Sequence, residues 1–340
     1  MREYSILMIV CLLLYSCCDK DTCFAQKQPV RIIFDTDMLT DPEDVNALCL
    51  LHAFADRGEA EILACVANGH EHHRASGAVI DVVNTFYHRP DIPIGTYKGN
   101  YTNKRSTYTF VLRDRFPHDA SDDDALIDAL EIYRQILSQQ PDNSVTIVSV
   151  GFLLNLHDPL NSKPDKVCDL DGKELVRKKV KELVVMGGKY PEGKEYNFYF
   201  GGVAASARYV VDYWPDEIPV IFSGNEIGDR IISGRNYKSQ LPDCPLRVAL
   251  ENAYDAINNG RESWDQTAVI YAIRGKNWNG NEYWKTQSEG SVFIDCDGSS
   301  KWLSLPDKNQ SYLIESMPPD SLAEMMEQLI LQSINNALKK

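Results

Sequence analysis

The stretch RIIFDTDMLTDPEDVNAL, residues 31–48, decides the fold. Arg31-Ile32-Ile33-Phe34 is an apolar run of strand character, and the acids Asp35, Asp37, Asp41, Glu43 and Asp44 follow it directly. From Val45 the apolar positions switch to helical spacing, with Val45, Leu48, Leu51 and Ala55 on one face. A strand passing through an acidic turn into a helix is a unit of an open α/β sheet, and such sheets bind ligands at the C-terminal ends of their strands. Carboxylates crowded there repel one another unless a cation or a shared proton compensates. A hard cation held by oxygens, Ca2+ or Mg2+, meets that need. Helix-start chemistry accounts for part of the cluster: Asp41 suits an N-cap, Pro42 the first helical position, and Glu43 and Asp44 the positive end of the helix dipole. It does not account for Asp35 and Asp37 at the strand end.

Outward from this unit the alternation continues. Strands are expected at Glu61 to Asn68, Ile92 to Gly95, Ser144 to Val150, Val180 to Met186 and Val220 to Phe222. Helices are expected at Ala75 to Tyr87 and Asp124 to Leu137, and a capping box at Ser321 to Glu324 opens a last one. Residues 97–124 read as a long polar and aromatic loop, and 161–177 as a surface excursion. The pattern predicts one α/β domain with a mostly parallel central sheet and helices on both faces. No internal repeat or low-complexity linker divides it.

The chain has 340 residues, 44% of them hydrophobic, which is enough for a large core. Its net charge of −14, with no long basic run, argues against a nucleic-acid partner. Arg2 precedes an apolar run from Ile6 to Tyr15 that is too short to span a bilayer permanently. Leu14-Tyr15-Ser16-Cys17 resembles a bacterial lipobox with Cys17 lipidated, and cleavage after Ala25 is the alternative. Residues 1–28 therefore read as a signal and tether, and 29–340 as the folded domain. The expected location is exported, either periplasmic or membrane-anchored through that lipid alone, with plain secretion as the alternative. Cys49, Cys65, Cys168, Cys244 and Cys296 show no metal spacing. His70, His72 and His73 cluster, but His-x-His-His is no diagnostic zinc pattern; His52, His88, His118 and His157 read as surface or helix residues.

DTDMLTDPEDVNAL resembles the N-terminal motif of the inosine–uridine nucleoside hydrolases, with Leu39 where that family usually has Gly and Glu43 where it usually has Asp. Four further places resemble the same family, in the family's order: Asn68, Val150 before Gly151, Met186-Gly187-Gly188 with Glu195-Tyr196-Asn197, and Trp264-Asp265. The resemblance implies a calcium-dependent N-glycosidic hydrolase. It implies Ca2+ held by Asp37, Asp44, Asp265 and the main-chain carbonyl of Val150, with Asp37 as general base. It further implies a nucleoside bound by Glu43, Asn68, Met186, Glu195, Asn197 and Trp264, and a role in purine salvage. Many members carry His where Trp264 stands. Trp there resembles a purine-specific branch, in which the base is stacked between aromatic rings; Tyr101, Tyr108 and Phe110 are candidates for the second ring. Two other readings stay open: a nucleoside- or sugar-binding lipoprotein without catalysis, and a phosphatase of the haloacid dehalogenase type using Asp35-Thr36-Asp37, with Gly224 to Asp229 as a loose candidate for its second acidic pair. Association into a homo-oligomer is left open.

Overall fold

The protein is described by a computed structural model, covering residues 28–69, 72–99, 105–120 and 122–340. The expected lipobox at Cys17 and the alternative site at Ala25 lie outside the described residues, as do His70 and Tyr101.

The central sheet has nine strands. The first six along the chain are β1 (Val30–Thr36), β2 (Ala60–Ala67), β3 (Ile94–Thr96), β4 (Ile127–Asp128), β5 (Val145–Ser149) and β6 (Val180–Met186). Across the sheet the order is β4-β3-β2-β1-β5-β6, followed by Val220–Ser223, Gln310–Glu315 and Trp284–Gln287. Every neighbouring pair is parallel except the last, at the far edge. The chain winds outward from β1 to β2 on one side and returns to pair β1 with β5 on the other. The C-terminal ends of β1 and β5 therefore form the switch point at which a crevice opens.

β1 shows why this strand is central. Ile32 and Phe34 point into one apolar layer and Ile33 into the other, as the two-residue period of a strand requires. Helix α1 (Glu43–Asp56) is buried from Glu43 through Phe54 and packs against helices Trp264–Arg274 and Pro319–Ala337. A helix covered on all sides belongs to the core of a large domain. Helix α2 (Ser76–Phe86) joins the same layer, while helices Ala129–Gln139, Leu154–Asn161, Gly172–Lys179 and Ala204–Tyr213 cover the opposite face.

The expected alternation is present, with five local differences. Strand β4 (Ile127–Asp128) stands within the helix expected from Asp124, which begins at Ala129. Residues 161–177 contain the start of helix Gly172–Lys179, opened by a capping box of Asp171 and Glu174. The last helix starts at Pro319, so Ser321 lies inside it and caps nothing. A short helix, Thr109–Arg115, interrupts the long loop. Residues 284–315 add a run of strands that includes the sheet's antiparallel edge.

Of the histidines expected on the surface or in helices, His52 is a helix residue and is wholly buried on α1. Its ring stacks on Tyr87 at 4.5 Å, Nε2 donates to Asn84 Oδ1 (2.9 Å), and Nδ1 accepts from Arg89 Nη1 (3.3 Å). Burial first, and then the Arg89 charge, push its pKa down to about 3. The unfolded chain therefore takes up this proton first, and the stability it contributes is complete above the unfolded pKa near 6.5 and lost as the pH falls toward 3. Between pH 6 and pH 4, His52→Gln should make the acid loss of unfolding free energy shallower than in the wild type, by at most about 1.4 kcal/mol per pH unit. Urea unfolding across that range measures it, and equal slopes would remove His52 from the acid response.

Candidate active site

The two acids at the end of β1 have different surroundings. Asp35 is fully buried and points away from the crevice. It accepts hydrogen bonds from Tyr133 Oη (2.6 Å), Asn68 Nδ2 (2.6 Å) and Asn155 Nδ2 (3.1 Å). Burial raises its pKa to about 7, against these three donors, which lower it. Asn68 is committed at both ends of its amide, since its Oδ1 accepts from Phe152 N (3.0 Å). Expected at the sugar, Asn68 lies behind the crevice instead, where it ties β2 to β1 and to the turn after β5.

Asp37 points the other way, into a cleft of about 690 Å³ counted with its solvent-open mouth, within the usual range of small-molecule sites. The cleft is lined by Asp37, Glu43, Asp44, Val150, Met186, Glu195, Asn197, Trp264 and Asp265. Stretches far apart in sequence thus converge, and Asn68 alone of the expected set does not line the cleft. Gly151 makes the convergence possible: a Cβ there would collide with the Asp37 backbone nitrogen and with Asn68 Oδ1.

The floor is acidic. Burial, then the Asp44 charge, hold Asp37 well above the ordinary carboxylate range. Asp265, in the first turn of its helix, is raised by burial and then by Glu43, Asp44, Asp37 and Asp41. Burial lifts Asp44 to about 6, although Thr36 Oγ1 and Met38 N (3.1 Å) donate to its Oδ1. Glu43 is also raised well above its usual range, by burial and then by Asp41 and Asp44. Its longer side chain reaches across the cleft, and Oε2 accepts from Trp264 N (2.9 Å). Glu43 therefore satisfies a backbone donor at the start of helix Trp264–Arg274. Glu195, lifted to about 7 by burial, accepts from Asn197 N (2.8 Å) and Gly188 N (3.0 Å). Asn197 Nδ2 donates to the carbonyls of Val150 (3.0 Å) and Met186 (3.1 Å).

The oxygen-only donor set and its crowded acids fit a hard cation. As the side chains stand, no three or more His, Cys, Asp or Glu residues among those described are gathered closely enough to enclose one. The donors engage one another instead: Asp37 hydrogen-bonds Asp44, Asp44 faces Thr36, and the Val150 carbonyl faces Asn197. Protons and mutual hydrogen bonds here answer the crowding that a cation would also answer.

The mouth has another character. Tyr254, Arg261 and Trp264 line it. Trp264 is fixed by its Nε1, which donates to Asp229 Oδ1 (2.9 Å) and the Asn225 carbonyl (3.2 Å), and by Gly228, where a Cβ would strike the indole. Tyr108 is buried, its hydroxyl donating to the Asp41 carbonyl (2.9 Å), and Phe110 packs on His73 at 4.3 Å. Neither reaches the cleft; Tyr254 and Tyr196 do. Among the described residues no histidine lines it. Asp35 and the Glu226–Asp229 pair, which a phosphatase would need in the cavity, are likewise absent from its lining.

No known family model matches the sequence, and no curated protein matches it. The fold does have solved counterparts. The plant nucleoside hydrolase PpNRh1 is 15% identical, with a TM-score of 0.63 over 90% of this chain and 99% of that one. An inosine-guanosine nucleoside hydrolase is 15% identical, with a TM-score of 0.64 over 90% and 98%. The type III effector protein XopQ, complexed with adenosine diphosphate ribose, is 14% identical, with a TM-score of 0.64 over 91% and 94%. At these identities the likeness shows a common fold.

Gly151→Ala tests how tightly the cleft floor is built. The added methyl would meet the Asp37 backbone nitrogen and the Asn68 amide oxygen, which the Phe152 amide holds in place, so the variant should lose about 1–3 kcal/mol in urea unfolding. A variant as stable as the wild type would show that the β1 and β5 ends need no such close approach.

Proposed function

We propose that the protein hydrolyses the N-glycosidic bond of ribonucleosides to free base and ribose, with Ca2+ as its cofactor and purines as the preferred bases. The observation that carries this reading is the convergence of Asp37, Asp44, Val150, Glu195, Asn197 and Asp265 on one cleft at the switch point of the sheet. The fold shared with two structures named as nucleoside hydrolases supports it.

Asp37, Asp44, Asp265 and the Val150 carbonyl would hold the cation, which supplies Lewis acidity and offsets the charge of the acids. Asp37 takes a proton from the attacking water as general base. The water oxygen bonds to the anomeric carbon, the carbon–nitrogen bond breaks, and its electron pair leaves with the base through an oxocarbenium-like state. Glu195, braced by the Gly188 amide, offers an acceptor to the sugar hydroxyls, and Asn197, whose two Nδ2 hydrogens go to the Val150 and Met186 carbonyls, offers its Oδ1 as a second. One oxygen of Glu43 is committed to Trp264 N, so this side chain serves the sugar only through the other. Asn68 acts from behind, through Asp35 and the Phe152 amide. The indole of Trp264 and the ring of Tyr254, which flank Arg261, supply the aromatic surface for a purine, in place of Tyr108 or Phe110.

Binding without turnover is the second reading, favoured by the lack of a histidine at the base end among the described residues. One assay separates the two: purified protein with inosine or uridine, with and without calcium. Free hypoxanthine released faster than uracil, and only with calcium, is the expected result. Trp264→Ala should lower purine turnover by about 10- to 100-fold, in line with the worth of base stacking, while ribose still competes as it does in the wild type. Tight inosine binding with no released base would select the binding protein; equal cleavage of uridine and inosine would end the stacking argument. We also propose export and lipidation at Cys17, read from the first 28 residues. A mature N-terminus at Gln26 would replace that with ordinary secretion.

A further inference from the structure

The mouth of the cleft carries a feature that the acidic floor does not use. Arg261 is the only Lys or Arg lining the cleft among the described residues. Its Nε donates to Asp41 Oδ1 (3.1 Å) and Oδ2 (3.0 Å), its Nη2 donates to the same carboxylate, and its Nη1 pairs with Glu262 Oε2 (3.0 Å). The guanidinium carbon stands 4.5 Å from the Tyr254 ring centroid and 5.1 Å from that of Trp264. A guanidinium framed by two aromatic rings and anchored by two carboxylates is held in one place. Tyr254 is presented by a strained turn: it has φ 55° and Asp255 has φ 53°, a left-handed conformation that is an outlier for a bulky residue. Asn258 and Asn259 donate to the Asp255 carboxylate at 2.6 and 3.0 Å and hold that turn. Tyr254 is left 55% exposed over the cleft.

Resting on the hydrolase reading, we propose that Arg261 is the leaving-group contact of this cleft and makes it selective for 6-oxopurine ribonucleosides. When the bond to the sugar breaks, its electron pair passes to the ring nitrogen and spreads toward N7 and O6 of the purine. The balancing proton reaches the base from solvent, while the proton of the attacking water goes to Asp37. A guanidinium has five N–H donors and no acceptor. Nε and Nη2 each give one N–H to Asp41, and Nη1 lies beside Glu262 as an ion pair, so about two or three of the five N–H groups remain for a ligand. The N7 and O6 edge of hypoxanthine or guanine presents two acceptors to such a fork. Adenine places an amino donor where O6 would be, and a pyrimidine has no N7.

The test is steady-state kinetics of the full chain with calcium, using inosine, guanosine, adenosine and p-nitrophenyl riboside. Wild type, Arg261→Lys and Arg261→Gln are compared, with ribose inhibition and thermal unfolding as controls on the sugar site and the fold. Wild type should prefer inosine and guanosine to adenosine by about 10-fold or more in kcat/KM, the order expected of a bidentate Arg contact. Arg261→Gln should lose about 100-fold on inosine and bring inosine and adenosine within about 3-fold of each other. It should lose far less on p-nitrophenyl riboside, whose phenolate departs without help, and Arg261→Lys should fall between. Equal losses on all four substrates, or a wild-type preference for adenosine, would overturn the role of Arg261 and leave the hydrolase reading standing. A wild type that cleaves none of the four would overturn both.

Discussion

Repulsion among buried carboxylates is the constraint around which this molecule is built. Asp37, Glu43, Asp44 and Asp265 are all buried, and each is held above its ordinary range by burial and by neighbouring acids. Charges so placed cost several kcal/mol each unless compensated. Asp35, one layer behind, is compensated within the protein by Tyr133, Asn68 and Asn155. Among the front acids, Asp44 has Thr36 and the Met38 amide, Glu43 has the Trp264 amide, and the Arg261 charge acts on Glu43 from a distance. The crowding on the floor is met by raised pKa values and mutual hydrogen bonds, a task that a cation would also perform. The Gly151 contact, the buried α1 and the parallel strand ends together leave the acids nowhere to spread.

Under the proposed function the two ends of the cleft would divide the work. The floor gathers acids and amides suited to a sugar and to a hard cation. The mouth gathers Tyr254, Arg261 and Trp264, suited to a flat heterocycle. Glu43 and Asp41 join the ends: the first holds the Trp264 amide and the second the Arg261 guanidinium. Asp41 is therefore more than a helix-start residue. Its Oδ1 does accept from Glu43 N (3.2 Å), yet its larger role in the structure is as the counter-ion of Arg261.

Much of this was legible in residues 31–48, because a buried strand, an acidic turn and an amphipathic start follow one another without interruption. The helices and parallel strands had clear periods, and they are present. Residues 284–315 were not legible as strands, since their runs are only four to six residues long. Asn68 was correctly placed at a strand end, but which side of that end its amide faces depends on Asp35 and on the turn after β5, and neither lies nearby in sequence. Tyr254 and Arg261 carry no periodic or motif signature. Only the fold of 254–264 brings them to Trp264, whereas Tyr108 of the long loop is buried and Phe110 packs on His73. The reach of Glu43 to a backbone amide 221 residues away is likewise a tertiary fact.

The most direct measurement is a calorimetric titration of chelator-treated protein with Ca2+ near neutral pH, repeated in buffers of different ionisation enthalpy. Carboxylates that hold protons to keep apart must release them when a cation takes over that task. One equivalent of Ca2+ should bind with net proton release, and Asp265→Asn should abolish both. Absence of binding, or binding that releases no proton and survives that substitution, would contradict a cleft built to exchange protons for a cation.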